Sequence, residues 1–331
     1  MLTIPTKDDW TRGSLYAISM GIPLLIGLGM GREISAFVAL GALFSLRLDP
    51  RSESKTYRTI AMVGGMILVI LSGMFGSLLV GHIELAILAM VIISFLAGQP
   101  KPDQTYFTLL GKFVAAALLL EEMGIPATIY TALAYFIGAL LGAGLSIAQT
   151  RFFPSQAQAW SPDLEWRRLC EGEINGPLYG FTLAITILIA TLTAHYLHAE
   201  HGVWVGLTVL FVMHIDGASA LKKVWKRVAG TMLGVSLAYV AVVFMPTWSF
   251  PLLVMLTALF LPSALRQNYL VFSLLITLVI LLVFDLAVLQ QGGDRTLILW
   301  RLFDTLIGCA WVAISVSLLS LWKQYRLKMF F

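Results

Sequence analysis

Apolar runs separated by short polar breaks recur along the whole chain. Twelve can be drawn, at 14–30, 34–48, 59–80, 83–97, 106–120, 127–148, 177–197, 203–215, 228–245, 249–263, 268–289 and 296–321. Most approach the roughly 20 residues that a bilayer span requires. A backbone facing lipid must satisfy its own hydrogen bonds, so each run is expected to be helical. Barrel strands would alternate apolar and polar in stretches of about ten residues, and these runs are apolar throughout. The pattern predicts an all-α, polytopic membrane protein of about twelve transmembrane helices.

The second and fourth runs of each half are short. At about 1.5 Å per residue they span about 20–22 Å, less than a hydrocarbon core of about 30 Å. Short segments in corresponding positions of two halves point to a translocation site; the alternative is that these helices continue into their polar loops.

Composition narrows the class. Of the 331 residues, 59% are hydrophobic and 12% charged, against about 25% charged in soluble domains, and the mean hydropathy is +0.87. A soluble enzyme, a nucleic-acid-binding module and a disordered tail are thereby excluded. The net charge of +4 is read as loops held on the cytoplasmic side rather than as a sign of an acidic partner. With both termini inside, Arg32, Arg295 and Arg301 fall at the outer face and Lys112 within a span, which leaves 18 of the 22 basic residues inside. Trp10 and Trp322 then lie at the inner edge and Trp248 and Trp300 at the outer. The polar start MLTIPTKDDWTRG lacks the short apolar region and small-residue site of a cleavable signal.

The chain repeats itself. VALGALFSLRLD at 38–49 matches VGLTVLFVMHID at 205–216 at Val38/Val205, Leu40/Leu207, Leu43/Leu210, Phe44/Phe211 and Asp49/Asp216, all offset by 167. Arg58 and Gly65 then match Arg227 and Gly234 at offset 169, Tyr106 matches Tyr269, and Ile137-Gly138 matches Ile307-Gly308. Four matches in one order predict two six-helix repeats. Six is even, so the copies run in the same sense about an axis along the membrane normal, an arrangement that places transporter sites at the repeat interface. The domains drawn from this are a first repeat at 1–148, a cytoplasmic linker at 149–176 and a second repeat at 177–331. In the linker, Ser161-Pro162-Asp163 has the form of a helix start. That helix would either lie on the membrane surface through Leu164, Trp166, Leu169 and Cys170 or serve as a plain connector.

Motif chemistry is sparse. There is no GxxxxGK(S/T) phosphate loop, no HExxH and no Cys/His cluster with zinc spacing, so no cofactor and no metal are expected. His195, His198 and His201 crowd one external loop and are read as solvated. Cys170 and Cys309 fall in a cytoplasmic loop and an apolar helix, which speaks against a disulfide.

The informative residues are ionisable groups inside apolar runs. Each costs about 2.5–3.5 kcal/mol on insertion scales and therefore needs a reason. Arg301 and Asp304 stand at i and i+3 on the last helix and can pair across one turn. Lys112 lies in the fifth run, Asp285 in the eleventh, and Glu84 opens the fourth. Asp49 and Asp216 end the short second helices, and Arg58 and Arg227 open the helices that follow. Cations facing a cavity can hold a carboxylate, arginine as a two-pronged fork. Asp304 or Asp216 can carry a proton if burial favours the acid form, which would couple transport to the proton gradient as an antiport. Against this stand structural roles: an ion pair that locks helices, helix ends fixed by Asp49 and Asp216, and a positive-inside anchor formed by Arg58, Lys222, Lys223, Lys226 and Arg227. The glycine pairs at 138/142 and 230/234 have the small-xxx-small form of close helix packing. Asn268 and Tyr269 open the eleventh run, where a polar or aromatic substrate can dock or an interfacial pair can sit.

At HGVWVGLTVLFVMHIDGASALKKVWKRVAGTMLG, residues 201–234, the sequence resembles the fusaric acid resistance and aromatic acid exporter superfamily. Trp204, Leu207-Thr208-Val209, Asp216, Arg227, Gly230-Thr231 and Gly234 carry the resemblance, and RLFDTLIG at 301–308 is similar to the second signature. The first copy keeps Asp49, Arg58 and Gly65 but has Ala61-Met62 in place of Gly-Thr. The resemblance implies a bacterial inner-membrane subunit that exports aromatic carboxylic acids or related amphiphilic weak acids. It also implies a periplasmic membrane-fusion-type adaptor and an outer-membrane channel as partners. The superfamily is similar to plant malate channels as well, which keeps a passive organic-anion channel open, beside a scaffold for the adaptor and a homo-oligomer. Many relatives carry a large soluble domain, for which only 149–176 and the last ten residues are available in this sequence.

Overall fold

A computed structural model describes residues 5–101, 104–120, 128–152, 160–197, 202–214, 216–288 and 296–329. Each predicted apolar run has a helix at its centre, and among the described residues there is no strand beyond an isolated bridge between Pro100 and Ile174. The helices are α1 (Lys7–Met30), α2 (Arg32–Arg47), α3 (Lys55–Leu78), α4 (Ile83–Ala97), α5 (Thr105–Leu120), α6 (Ile129–Phe152), α7 (Pro162–Cys170), α8 (Pro177–Tyr196), α9 (Val203–Val212), α10 (Gly217–Phe244), α11 (Phe250–Gln267), α12 (Tyr269–Val288) and α13 (Thr296–Met329).

Seven of these, α1, α3, α6, α8, α10, α11 and α13, are long and apolar enough to cross a membrane, α11 together with the 3-10 turn before it. Shorter apolar stretches lie in α4, α5, α9 and α12. The second helices stay short, 16 residues in α2 and 10 in α9, and α4 has 15. The fourth helix of the second half does not: the turn Thr247–Ser249 and α11 together run 21 residues to Gln267. The expected matching pair of short fourth segments is therefore absent.

The ends follow local chemistry. α1 begins at Lys7, seven residues before the apolar run, because Thr6 and Asp9 form a reciprocal capping box. α10 begins eleven residues before its apolar run because the Asp216 carboxylate accepts from the Ser219 amide at 3.0 Å and starts the helix there. A π-helical turn at Ile60–Gly64 interrupts α3. In α7, Ser161 caps the helix and Pro162 stands in its first turn, as predicted; Leu164 and Trp166 are exposed, and Ser52 ties the segment to the core by donating to the Trp160 carbonyl at 2.7 Å.

Packing in the two halves corresponds contact by contact. α2 packs on α6 and α9 on α13; α3 on α5 and α10 on α12; α1 on α11 and α8 on α4; α2 on α12 and α9 on α5. The correspondence reaches single residues. A β-carbon on Gly138 would collide with the Val38 carbonyl, and one on Gly308 would come 2.8 Å from the Val205 carbonyl. These are matched positions of the two sequence copies. Glycine is required there because the helix backbones touch. Gly138→Leu is expected to destabilise the fold by about 1–3 kcal/mol by overpacking, read as a lower thermal midpoint of the detergent-purified protein.

The core helices leave apolar stripes outside. Leu68, Leu71 and Phe75 on α3, and Leu85, Leu88, Ile92 and Leu96 on α4, are all exposed. Their three-to-four-residue spacing forms one continuous face per helix, which suits lipid rather than water. This is a membrane protein seated in the bilayer.

Candidate functional site

Helices from both halves enclose a cavity of about 320 Å³. Phe37, Phe44 and Arg47 of α2, Lys112 and Phe113 of α5, and Tyr135 of α6 line it from one half; Trp204 and Phe211 of α9, Arg227 of α10, Tyr269, Phe272 and Phe284 of α12, and Arg301 of α13 line it from the other. Its wall is aromatic and aliphatic with four cations, and among the described residues no Asp or Glu lines it.

The short second helices explain how so many rings converge. α2 and α9 run through the core, and Phe44 and Phe211, matched residues of the two copies, face each other through Phe113, at centroid separations of 5.1 and 6.1 Å. Three cations rest on ring faces: Arg47 over Phe272 at 5.5 Å, Lys112 over Phe211 at 5.9 Å and Arg301 over Trp204 at 3.8 Å. A ring's negative face stabilises a cation in a poorly solvated place without consuming its hydrogen-bonding capacity. The Nε of Arg227 and the Nε and Nη1 of Arg301 are buried with no hydrogen-bond partner among the described residues. Such donors need an acceptor, and an anionic ligand in the cavity would supply one.

The residues singled out in the sequence separate into groups. Arg301, Lys112, Arg227 and Tyr269 line the cavity, with Tyr269 beside Arg227. Asp304 is fully buried next to it and does not line it. The expected Arg301–Asp304 ion pair is not formed: the guanidinium lies over Trp204, and neither Asp304 oxygen has a hydrogen-bond partner among the described residues. Thr231 is buried outside the lining, its hydroxyl likewise without a partner. Asn268 caps α12 by accepting from the Leu270 amide at 3.0 Å. Asp285 lies in α12, but its side chain is outside the described set, as are His198 and His201.

Asp49 and Asp216 part company. The side chain of Asp49 is buried, and its carboxylate accepts from Arg58 Nε at 3.0 Å and Arg58 Nη2 at 2.5 Å, from Ser146 Oγ at 2.8 Å and from the Arg51 amide at 2.9 Å. Burial pushes its carboxyl up, but these donors and the Arg58 and Arg12 charges outweigh it and hold it below the usual carboxylate range. Asp216 is exposed and serves as the α10 cap, its carboxyl also lowered, chiefly by bonds from Ser219. Asp216 therefore leaves Arg227 without the partner that Arg58 has. His214 beside it is pushed below the ordinary imidazole value by burial and by Lys223 and Lys112, which keeps it neutral near pH 7.

Arg47 is a cavity cation that the sequence reading counted only among the inside-loop charges. A signal existed: it stands two residues before Asp49, as His214 stands two before Asp216, and so belongs to the repeated stretch.

Residues 187–315 match the fusaric acid resistance protein-like family. The chain is 31% identical over 132 residues to the inner membrane protein YccS of Escherichia coli K12, covering 39% of this chain and 17% of that protein. It is 32% identical over 148 residues to an uncharacterized protein of Haemophilus influenzae (44% and 20% covered), and 32% over 145 residues to the uncharacterized protein YhfK of Escherichia coli K12 (44% and 20%). The chain thus spans about a fifth of the length of the curated relatives it matches. No solved structure matches it.

Proposed function

We propose that this membrane protein, which over residues 187–315 belongs to the fusaric acid resistance protein-like family, carries small aromatic or otherwise amphiphilic organic acids out across a bacterial inner membrane. The observation that carries the reading is the cavity: four cations, no acid among its described lining, and walls of aromatic rings. A planar acid puts its carboxylate on the arginines and its ring among Phe44, Phe113 and Phe211. An apolar pocket with a few converging polar groups has the form of a small-molecule site, and 320 Å³ suits a single-ring acid. A neutral or cationic solute would leave the four charges uncompensated.

The protein is read as twelve crossings in two parallel six-helix repeats, with both termini cytoplasmic and the cavity on the pseudo-two-fold between them. The corresponding helix contacts of the two halves support this, as does the basic bias of the assigned inner loops. Transport is coupled to protons, and Asp304 is the group for that role: it is buried beside the cavity with both oxygens unpartnered. A periplasmic adaptor of the membrane-fusion type, with an outer-membrane channel beyond it, receives the product.

The test is flux of labelled 4-hydroxybenzoate in proteoliposomes, with a pH gradient imposed and then collapsed by a protonophore. Accumulation against the substrate gradient that disappears with the protonophore is the expected result. Flux that only follows the substrate gradient would favour a passive anion channel. A protein that moves no organic acid but still binds an adaptor would overturn transport in favour of a scaffold.

A further inference from the structure

Arg301 and Asp304 are both buried, at 4% and 0% exposure, and they occupy different compartments. Arg301 lines the cavity and Asp304 does not. They stand three residues apart on α13, close enough to pair across a turn, yet the guanidinium stacks on Trp204 and Asp304 stays alone. A buried carboxylate without a hydrogen-bond partner is costly. It has two remedies, a proton or the Arg301 guanidinium. Arg301 in turn has two acceptors to choose from, Asp304 behind it and an anion in front.

This arrangement exists once. At the offset of 170 that relates Ile137-Gly138 to Ile307-Gly308, the counterparts of Arg301 and Asp304 are Thr131 and Ala134. Of the other charged or titratable groups nearby, Arg227 on α10 acts on Arg301 directly, Tyr269 on α12 and Cys309 on α13 neighbour Arg227, and Lys112 on α5, with Lys223 near it, lines the same cavity. None of these is a carboxylic acid, so within this set Asp304 is the carboxylate whose protonation changes what Arg301 is offered.

We infer that Asp304 and the transported anion compete for Arg301, so that proton and anion bind together rather than in exchange. Ionised Asp304 draws Arg301 out of the cavity; protonated Asp304 releases it to the substrate carboxylate. By linkage, anion affinity rises as the pH falls, and anion binding draws a proton onto Asp304. An exchanger would show the opposite sign. The inference rests on the organic-acid reading of the cavity and replaces the expected antiport with co-movement: proton and anion leave together, so export follows the outward gradient of the acid rather than drawing on the inward proton gradient.

The experiment measures benzoate binding to the nanodisc-embedded protein between about pH 6 and about pH 9, a range in which benzoate stays ionised. Wild type is expected to bind at least about tenfold more tightly at the acid end. Asp304→Asn should hold the tight, acid-like affinity at every pH, and Arg301→Gln should bind weakly at every pH. Affinity that falls on acidification, or that ignores pH in wild type, would overturn the inference. A readout without ligand separates it from the substrate reading: the infrared carboxylic-acid band that Asp304→Asn removes should titrate at higher pH in Arg301→Gln. If benzoate fails to bind while that band responds to Arg301, the organic-acid reading falls and the competing pair stands. If the band ignores Arg301, the pair falls whatever binds.

Discussion

Arg227→Gln is expected to weaken organic-acid binding by about 10- to 100-fold, the range set by one charge-assisted hydrogen bond at roughly 1.5–3 kcal/mol, while leaving the thermal midpoint little changed. Arg58→Gln, at the position matched to it in sequence, is expected to do the reverse. The two arginines occupy equivalent places, 169 residues apart, but Arg58 is held in two bonds to Asp49 and Arg227 is not held by Asp216, which has moved to the surface to cap α10. One guanidinium is thus structural and the other is presented to the cavity with its Nε unpartnered. Arg227→Lys should recover only part of the affinity, since an ammonium keeps the charge and loses the fork. Isothermal titration with 4-hydroxybenzoate, run beside a thermal melt, checks all three variants. Equal loss of binding in the Arg58 and Arg227 variants at unchanged stability would remove the asymmetry on which this rests.

The divergence of these two arginines also marks where sequence reading stops. Every apolar run became a helix, because hydrophobicity over 13–26 residues is a local property. The ends shifted where polar side chains could extend a helix: Thr6 and Asp9 added a turn or more to α1, and Asp216 brought Lys222, Lys223 and Lys226 into α10. Close packing was legible in the pairing of Val38 and Gly138 with Val205 and Gly308, because each glycine lies against the carbonyl of its valine; Phe44 and Phe211 instead meet on one shared ring, Phe113. Charge placement was not legible. The spacing of Arg301 and Asp304 permits an ion pair, and only the position of Trp204, 97 residues upstream of Arg301, shows that the guanidinium is engaged elsewhere. Arg47 reads as a loop anchor until Phe272 of the other half is placed beneath it. Such choices depend on long-range contacts that no window of sequence contains.

The same logic makes Asp49 the acid whose loss should cost the most stability. Its carboxylate is 3% exposed and joins α2, α3 and α6 through Arg58 and Ser146, with Arg12 of α1 at 3.9 Å. Asp49→Asn keeps the shape and removes the charge, leaving Arg58 buried without a counter-ion. Breaking a buried pair in this way is destabilising by about 3–5 kcal/mol. Denaturant or thermal unfolding in detergent should show a fall of that order, with Asp216→Asn, at an exposed cap, far milder. The pH dependence has a fixed sign. Asp49 is held below its unfolded value of about 3.9, so its contribution is fully present above that value and is lost as the pH falls through the lower folded one. Acid should therefore destabilise wild type more steeply than Asp49→Asn below about pH 4. Parallel acid limbs for the two proteins would show that Asp49 is not held by its partners as the geometry requires.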